Sequence, residues 1–533
     1  MKKILGRVIV VLPAIAIQIC WYLLMISTFN GLLQGHLGDI ISTLFSVLAV
    51  IFVVNIVGKR DESSYRLLWV IVIVTMPVLG ALLYFMVGNK KTGRQLKKRL
   101  DTSYALFDIP DDAQSDECLS DIMKDDLRIG QAVRHVSEST GFPVFKNDTS
   151  KYYPFGEDMF VDMCEDLKKA KKYIYVEYFI IQSGRFWDTL TDIMAEKASE
   201  GVDVRVMYDD LGSIGTYSVA DIAGLSKRGI KCIPFNPFFL IRSQLNNRDH
   251  RKIMVIDGKV AYSGGVNLAD EYINEVERFG RWKDIGFRIT GKAVMSYAFM
   301  FAEFWNAFSN DLIDVNDFSY GANSNESSHG ASNGYILPYY DSPMREEHTS
   351  NELFTDMLSS ATDYVWFYTP YLILGDSLFD AFIRAAKRGV DVRIIMPGIP
   401  DKNMVFRLSR SYYEDLMKAG VKIYEYTPGF VHAKAFIADD KIAGIGTVNL
   451  DYRSLFLHFE CNSIFYKADI IKELKKDILD TQAECVEITM EDVRSGILYS
   501  SKSKATNIVP SDNKKHYISR FINNILRVIA PLL

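Results

Sequence analysis

Gly201-Val202-Asp203-Val204-Arg205-Val206-Met207 recurs further along the chain as Gly389-Val390-Asp391-Val392-Arg393-Ile394-Ile395. Each copy is a turn glycine followed by a run rich in β-branched residues, the pattern of a buried strand. The match extends on both sides. Residues 173–180 (YIYVEYFI) precede the first copy and Tyr364-Val365-Trp366-Phe367-Tyr368 precedes the second. Gly229-Ile230-Lys231-Cys232 and Gly420-Val421-Lys422-Ile423 follow. The three pairs are offset by 191, 188 and 191 residues, so one unit is present twice. A helical stretch ending at Glu200 separates the first two strands. Strand, helix, strand order predicts parallel pairing with helices covering both sheet faces, a duplicated α/β fold.

Each unit carries the same polar motif. His250-Arg251-Lys252 is followed by Asp257, and His432-Ala433-Lys434 by Asp439. Each motif runs into a glycine-asparagine element, Ser263-Gly264-Gly265-Val266-Asn267 in one copy and Gly446-Thr447-Val448-Asn449 in the other. Each also starts a strand-like run, where side chains at i and i+2 share a face. His250 and Lys252 therefore point the same way, as do His432 and Lys434. One half-site per copy predicts a single site at a pseudo-twofold seam.

Two imidazoles, two ammoniums and two amides can close around one phosphodiester. A neutral imidazole attacks phosphorus while Lys252, Lys434, Asn267 and Asn449 hold the non-bridging oxygens. The other imidazole, protonated, donates to the leaving oxygen and then acts as base on the incoming hydroxyl. Each imidazole needs a carboxylate on its second ring nitrogen. The candidates are Asp284, in Trp282-Lys283-Asp284, and Glu460, in Phe459-Glu460-Cys461-Asn462. Asp257 and Asp439 are counted with the site, in a structural role, bonding backbone or lysine near it. His36, His135, His329, His348, His458 and His516 lack such a context and are expected on the surface or satisfied in the core.

The 533 residues suggest two or three domains, and a net charge of −5 gives no global signal for nucleic acid. Six scattered cysteines without a CxxC pair argue against a zinc site or a disulfide framework. Neither a cofactor nor a metal is expected. Residues 8–27, 40–57 and 67–87 are uncharged apolar runs, each roughly long enough for a ~30 Å hydrocarbon layer. The first follows Lys2, Lys3 and Arg7 and reads as a retained anchor rather than a cleaved signal. With three crossings the positive-inside count ties at six basic residues for either orientation. If the middle run does not cross, every basic stretch can be cytoplasmic. Residues 514–533 place Ile518, Phe521, Ile522, Ile525 and Ile529 near one helical face, which suits an anionic bilayer or simple docking.

These residues resemble the phospholipase D superfamily and, within it, the bacterial cardiolipin synthases. The paired motifs carry the broader likeness. The narrower one rests on Trp69, Pro77-Val78-Leu79-Gly80 and Leu83-Tyr84 near the N-terminus, and on the runs 264–272 (GGVNLADEY), Thr369-Pro370-Tyr371 and 446–454 (GTVNLDYRS). The resemblance implies duplicated phospholipase D-like domains with mixed or parallel sheets flanked by helices, preceded by transmembrane helices. Residues 1–100 would be a membrane-anchoring region with two or three such helices. Residues 130–318 would form the first half, 319–334 a linker, 335–492 the second half and 510–533 an amphipathic helix. It further implies a phosphatidyl transfer between two phosphatidylglycerols through a phosphohistidine, His250 as nucleophile and His432 as acid/base. The partners would be phosphatidylglycerol and anionic membrane lipid, with no nucleic acid. The location would be a multi-pass cell-membrane protein with a cytoplasmic catalytic domain. A hydrolase, or a transferase with another acceptor alcohol, uses the same residues; oligomeric state is left open.

Overall fold

Valine-, isoleucine- and aromatic-rich runs pair as the repeat predicts, and they do so twice. A computed structural model describes residues 36–59, 62–84, 88, 93–105, 113–237, 246–314, 334–495, 497–500, 503–507, 523, 526–528 and 530. Among them the first half holds a seven-stranded sheet and the second a nine-stranded sheet. In the first, Tyr173–Tyr178, Asp203–Asp209 and Lys231–Phe235 are parallel neighbours. In the second, Tyr364–Tyr368, Asp391–Pro397 and Lys422–Tyr426 repeat that order. The motif strands Lys252–Ile256 and Ala435–Ala438 pair antiparallel with the first member of each trio. Val260–Gly264 and Ile442–Gly446 then follow as hairpin partners. Both sheets are therefore mixed: the parallel expectation holds for the three strands joined through helices and not for the hairpin strands.

The helix Val294–Phe308 is buried on every side from Val294 to Trp305. A helix apolar all round belongs between two layers. Phe301 stacks on Tyr175 of the first sheet at 4.7 Å, and Phe304 meets Tyr340 of the second at 6.3 Å. The two halves also touch directly, with Phe287 against Phe465 at 5.4 Å. They form a single contact-dense unit of residues 92–237 and 247–523.

The expected boundary at residue 130 shifts. Strand Phe145–Lys146 pairs with Tyr335–Asp341, extending the second half's sheet. His135, on helix Leu127–Thr140, reaches Glu352 at 2.7 Å. The first half's own sheet begins at Thr149–Tyr153. Cys118, Cys164, Cys232, Cys461 and Cys485 are free thiols, and Cys20 lies outside the described residues.

The second unit comprises residues 1–91, 238–246 and 524–533. The apolar run 8–27 lies outside the described residues, as do nearly all of the linker 319–334 and most of 510–533. The run 40–57 falls in helix His36–Val57. The run 67–87 does not form one helix. Proline disfavours helical geometry in the residue before it, and Met76 sits at φ −136°, ψ 71°. The run therefore divides into Ser63–Thr75 and Pro77–Leu83. Among the described residues no helix is long and apolar enough to cross a membrane.

Candidate active site

Main-chain pairing between the halves builds the site. The His250 N–H donates to the Phe459 carbonyl at 2.9 Å, and the Phe459 N–H to the Arg248 carbonyl at 2.9 Å. On the other side, strand Gly429–Val431 runs parallel to Arg281–Lys283, and the His432 N–H donates to the Lys283 carbonyl at 2.7 Å. Each motif histidine is thus docked, through its own backbone, on the residue that precedes a carboxylate of the opposite half. Glu460 Oε2 lies 2.8 Å from His250 Nδ1, and Asp284 Oδ2 lies 2.6 Å from His432 Nδ1. Both carboxylates are fully buried. With Nδ1 so engaged, Nε2 is the ring atom left for phosphorus.

The alternation of the motif strand works as the spacing predicts. Lys252 Nζ turns back onto the His250 carbonyl at 2.6 Å. Lys434 Nζ lies 2.7 Å from His432 Nδ1 and also donates to the His432 carbonyl. The intervening residue points the other way. Arg251 is buried with its guanidinium 3.5 Å from the Phe304 ring centroid and 2.5 Å from Glu177, and Ala433 is simply buried.

Burial and two ammoniums set the protonation of the site. Burial, then the charges of Lys252 and Lys434, hold His250 well below the ordinary imidazole range. Burial and Lys434 bring His432 down to about 4, although Asp284 opposes them. Burial also lowers Lys434 to about 7 and Lys252 to about 8. Among themselves these residues therefore favour neutral imidazoles beside weakly held ammonium protons. A bound phosphodiester brings a negative charge that offsets the lysines and restores proton affinity to an imidazole.

Asp257 and Asp439 stand apart from this cluster. Asp257 follows the far end of strand Lys252–Ile256, at φ 55°, and accepts from the N–H groups of Lys171, Lys172 and Tyr173 at 2.7–3.0 Å. Asp439, at φ 50°, accepts from Thr362, Asp363 and Tyr364 in the same way. Each carboxylate caps the turn leading into the strand that pairs antiparallel with the motif strand, and bonds neither the histidine nor the lysine of its motif. Of the two structural partners expected for them, backbone or a lysine side chain, they take backbone, and they fix the motif strand in its sheet.

The asparagines differ as well. Asn267 Oδ1 accepts from the Ile180 N–H at 3.1 Å and its amide donates to Tyr272 at 2.8 Å, which leaves one amide hydrogen for a ligand. Asn449 Oδ1 is buried without a hydrogen-bond partner. The sequence reading gave no separate role to Thr447 and Gly265, which hold equivalent positions in the two copies. The Thr447 hydroxyl donates to Glu460. A methyl group on Gly265 would lie 2.0 Å from Asp284 Oδ1, so only glycine admits that carboxylate. Aromatic walls were also missed. Tyr272, Trp282 and Phe430 surround the His432 ring at 5.3–6.0 Å, and Phe179 lies 4.9 Å from that of His250. His458 is half-buried beside the site, near Arg248 and Lys252, and desolvation holds its pKa well below the ordinary imidazole range.

Comparison with known proteins matches both halves of the chain. The family description "Cardiolipin synthase, PLD-like domain" matches residues 163–296 and 354–480, one segment per half. A chain from Halalkalibacterium halodurans named cardiolipin synthase is 31% identical, over 91% of this chain and 96% of its own length. The chain belongs to the cardiolipin synthase family. Another family member, cardiolipin synthase 2 of Bacillus anthracis, is 32% identical over 92% of this chain and 91% of its own. An uncharacterized protein of Streptococcus mutans is 38% identical over 90% and 99%. "Phospholipase_D-nuclease N-terminal" matches residues 44–89. The crystal structure of phosphatidylserine synthase from Haemophilus influenzae shares the fold, with a TM-score of 0.56 at 13% identity over 76% of this chain and 99% of that one.

The capping role assigned to Asp257 separates stability from chemistry. In this cardiolipin synthase family member, Asp257→Ala should lower unfolding stability by about 2 kcal/mol through loss of charge-assisted hydrogen bonds. Turnover per folded molecule should stay within a few-fold. Thermal melts and single-turnover rates on the same preparation check both; a selective collapse of the rate would place Asp257 back in the chemistry.

Proposed function

We propose that this chain joins two phosphatidylglycerol molecules, giving cardiolipin and glycerol, through a phosphatidyl-histidine. The observation that carries the reading is the crossed arrangement of imidazoles and carboxylates, His250 with Glu460 and His432 with Asp284. Family membership supports the phosphatidyltransferase class, since the named relatives are cardiolipin synthases.

The first step forms a bond from His250 Nε2 to phosphorus and breaks the phosphorus–oxygen bond to glycerol. His432, protonated once the phosphodiester is bound, gives its proton to that leaving oxygen. In the second step the terminal hydroxyl of another phosphatidylglycerol loses its proton to His432. Its oxygen bonds to phosphorus as the phosphorus–nitrogen bond breaks, and His250 returns to its neutral form. Lys252 and Lys434 neutralise the non-bridging oxygens as charge builds in each transition state, and Asn449 and the remaining amide hydrogen of Asn267 complete the cradle. Glu460 and Asp284 hold the rings in the correct tautomer and favour each imidazolium as it forms.

A membrane location follows the same reading. Helix His36–Val57 exposes Leu44, Val47, Val50, Ile51 and Val54, all more than half accessible to the surroundings. Lipid is the environment that suits such a surface. Holding the second substrate in the same membrane raises its effective concentration, which favours lipid alcohol as acceptor.

Purified protein in mixed micelles with phosphatidylglycerol alone should release glycerol and form cardiolipin, and His250→Ala should abolish both. Phosphatidic acid as sole product would make the chain a hydrolase. The pH dependence of kcat/KM has a definite sign. Depressed imidazole pKa values keep the nucleophile neutral, so no acidic limb falls near the ordinary 6.5. Loss of ammonium charge, with Lys434 at about 7 and Lys252 at about 8, should make kcat/KM drop with increasing steepness through that range. Loss of kcat/KM on acidification through pH 6.5 would contradict this account.

A further inference from the structure

We infer that residues 62–84 form a re-entrant hairpin that enters and leaves the bilayer on one face, so the third apolar run never crosses. The inference rests on the membrane location proposed above. A continuous helix would hold Trp69 and Tyr84 roughly 22 Å apart and Tyr65 and Gly88 roughly 35 Å apart, at 1.5 Å per residue. Instead the rings of Trp69 and Tyr84 meet edge to face at 5.3 Å, and the Tyr65 hydroxyl donates to the Gly88 carbonyl at 2.6 Å. Nearer the tip, a methyl group on Gly80 would lie 2.5 Å from the Val72 carbonyl oxygen. Helix Pro77–Leu83 thus packs back against helix Ser63–Thr75, with Gly80 at the closest approach of the two backbones.

Lengths and polar groups fit entry from one face without a crossing. Thirteen residues from Ser63 to Thr75 rise about 20 Å, short of the ~30 Å hydrocarbon layer. A chain reversal at that depth has no water to satisfy its backbone, so its polar groups must bond internally. The Met76 N–H donates to the Val72 carbonyl at 2.9 Å, Gly80 to Met76 at 2.5 Å, and the Thr75 hydroxyl to Ile71 at 2.7 Å. Pro77 has no N–H to satisfy. Leu67, Ile71 and Val74 form one exposed apolar face toward acyl chains. The open end is polar: Lys59 Nζ donates to the Tyr84 hydroxyl at 2.6 Å, and Arg66 reaches the Val57 carbonyl.

The hairpin removes the tie in the charge count. The basic residues of 58–66 and those of 89–99, nine in all, fall on the same face, and the chain continues from that face into the catalytic unit. The positive-inside tendency makes it the cytoplasmic one.

Single-cysteine scanning of the full-length chain tests this, in a cysteine-free background that keeps phosphatidylglycerol turnover. Glu62→Cys and Gly93→Cys should both react with an impermeant maleimide in inverted vesicles and neither in right-side-out vesicles. Thr75→Cys should react in neither until detergent is added. Labelling of Glu62→Cys and Gly93→Cys from opposite faces would overturn the hairpin. Labelling of Thr75→Cys in intact vesicles would overturn it too. Release of the chain by carbonate washing would instead remove the membrane reading on which the hairpin rests, and the retained turnover keeps the catalytic reading separate from both.

Discussion

Everything at the site depends on one reciprocal contact: the backbone just ahead of each histidine pairs with the segment that ends in the other half's carboxylate. The Phe459 and Lys283 carbonyls receive the histidine N–H groups, and Glu460 and Asp284 come next in sequence. Backbone hydrogen bonds therefore set the carboxylate–imidazole distance, and neither half alone contains a complete pair. This explains why both copies stay so alike in topology while their outer elements diverge. It also explains Gly265, where any side chain would displace Asp284.

The second constraint is electrostatic. Two lysines and two histidines buried together disfavour one another's charge, and burial lowers all four. Asp284 and Glu460 offset part of that repulsion, and an anionic phosphodiester offsets more. Substrate binding and imidazole protonation are thereby coupled. A site of this kind attracts an anionic headgroup and gains its acid only when that headgroup has arrived.

Much of this was legible in the chain itself. The GVDVR repeat fixed the trio of parallel strands in each half, and the HxK spacing fixed which side chains share a face. Asp284 and Glu460 could be named as candidate partners because an imidazole in such chemistry needs a carboxylate on its second ring nitrogen. Their crossing could not, since it depends on pairing between segments some 150–210 residues apart. Asp257 and Asp439 look like site residues from the motif, yet each turns away after the strand to cap a neighbouring turn. The boundary near 130 was misplaced because Phe145–Lys146 joins the more distant sheet. The 67–87 run reads as a span by hydropathy alone, whereas the decisive residues are Pro77 and Gly80, which carry a turn and a close backbone approach.

The crossed pairing can be observed directly through the rings. Histidine-selective nitrogen-15 NMR of the full-length protein reports the tautomer and shift of each imidazole. The account predicts that Glu460→Gln moves the His250 signals and leaves those of His432 in place, while Asp284→Asn does the reverse. If Glu460→Gln perturbed His432 alone, or if neither substitution moved either ring, the two halves would not share their carboxylates in this way.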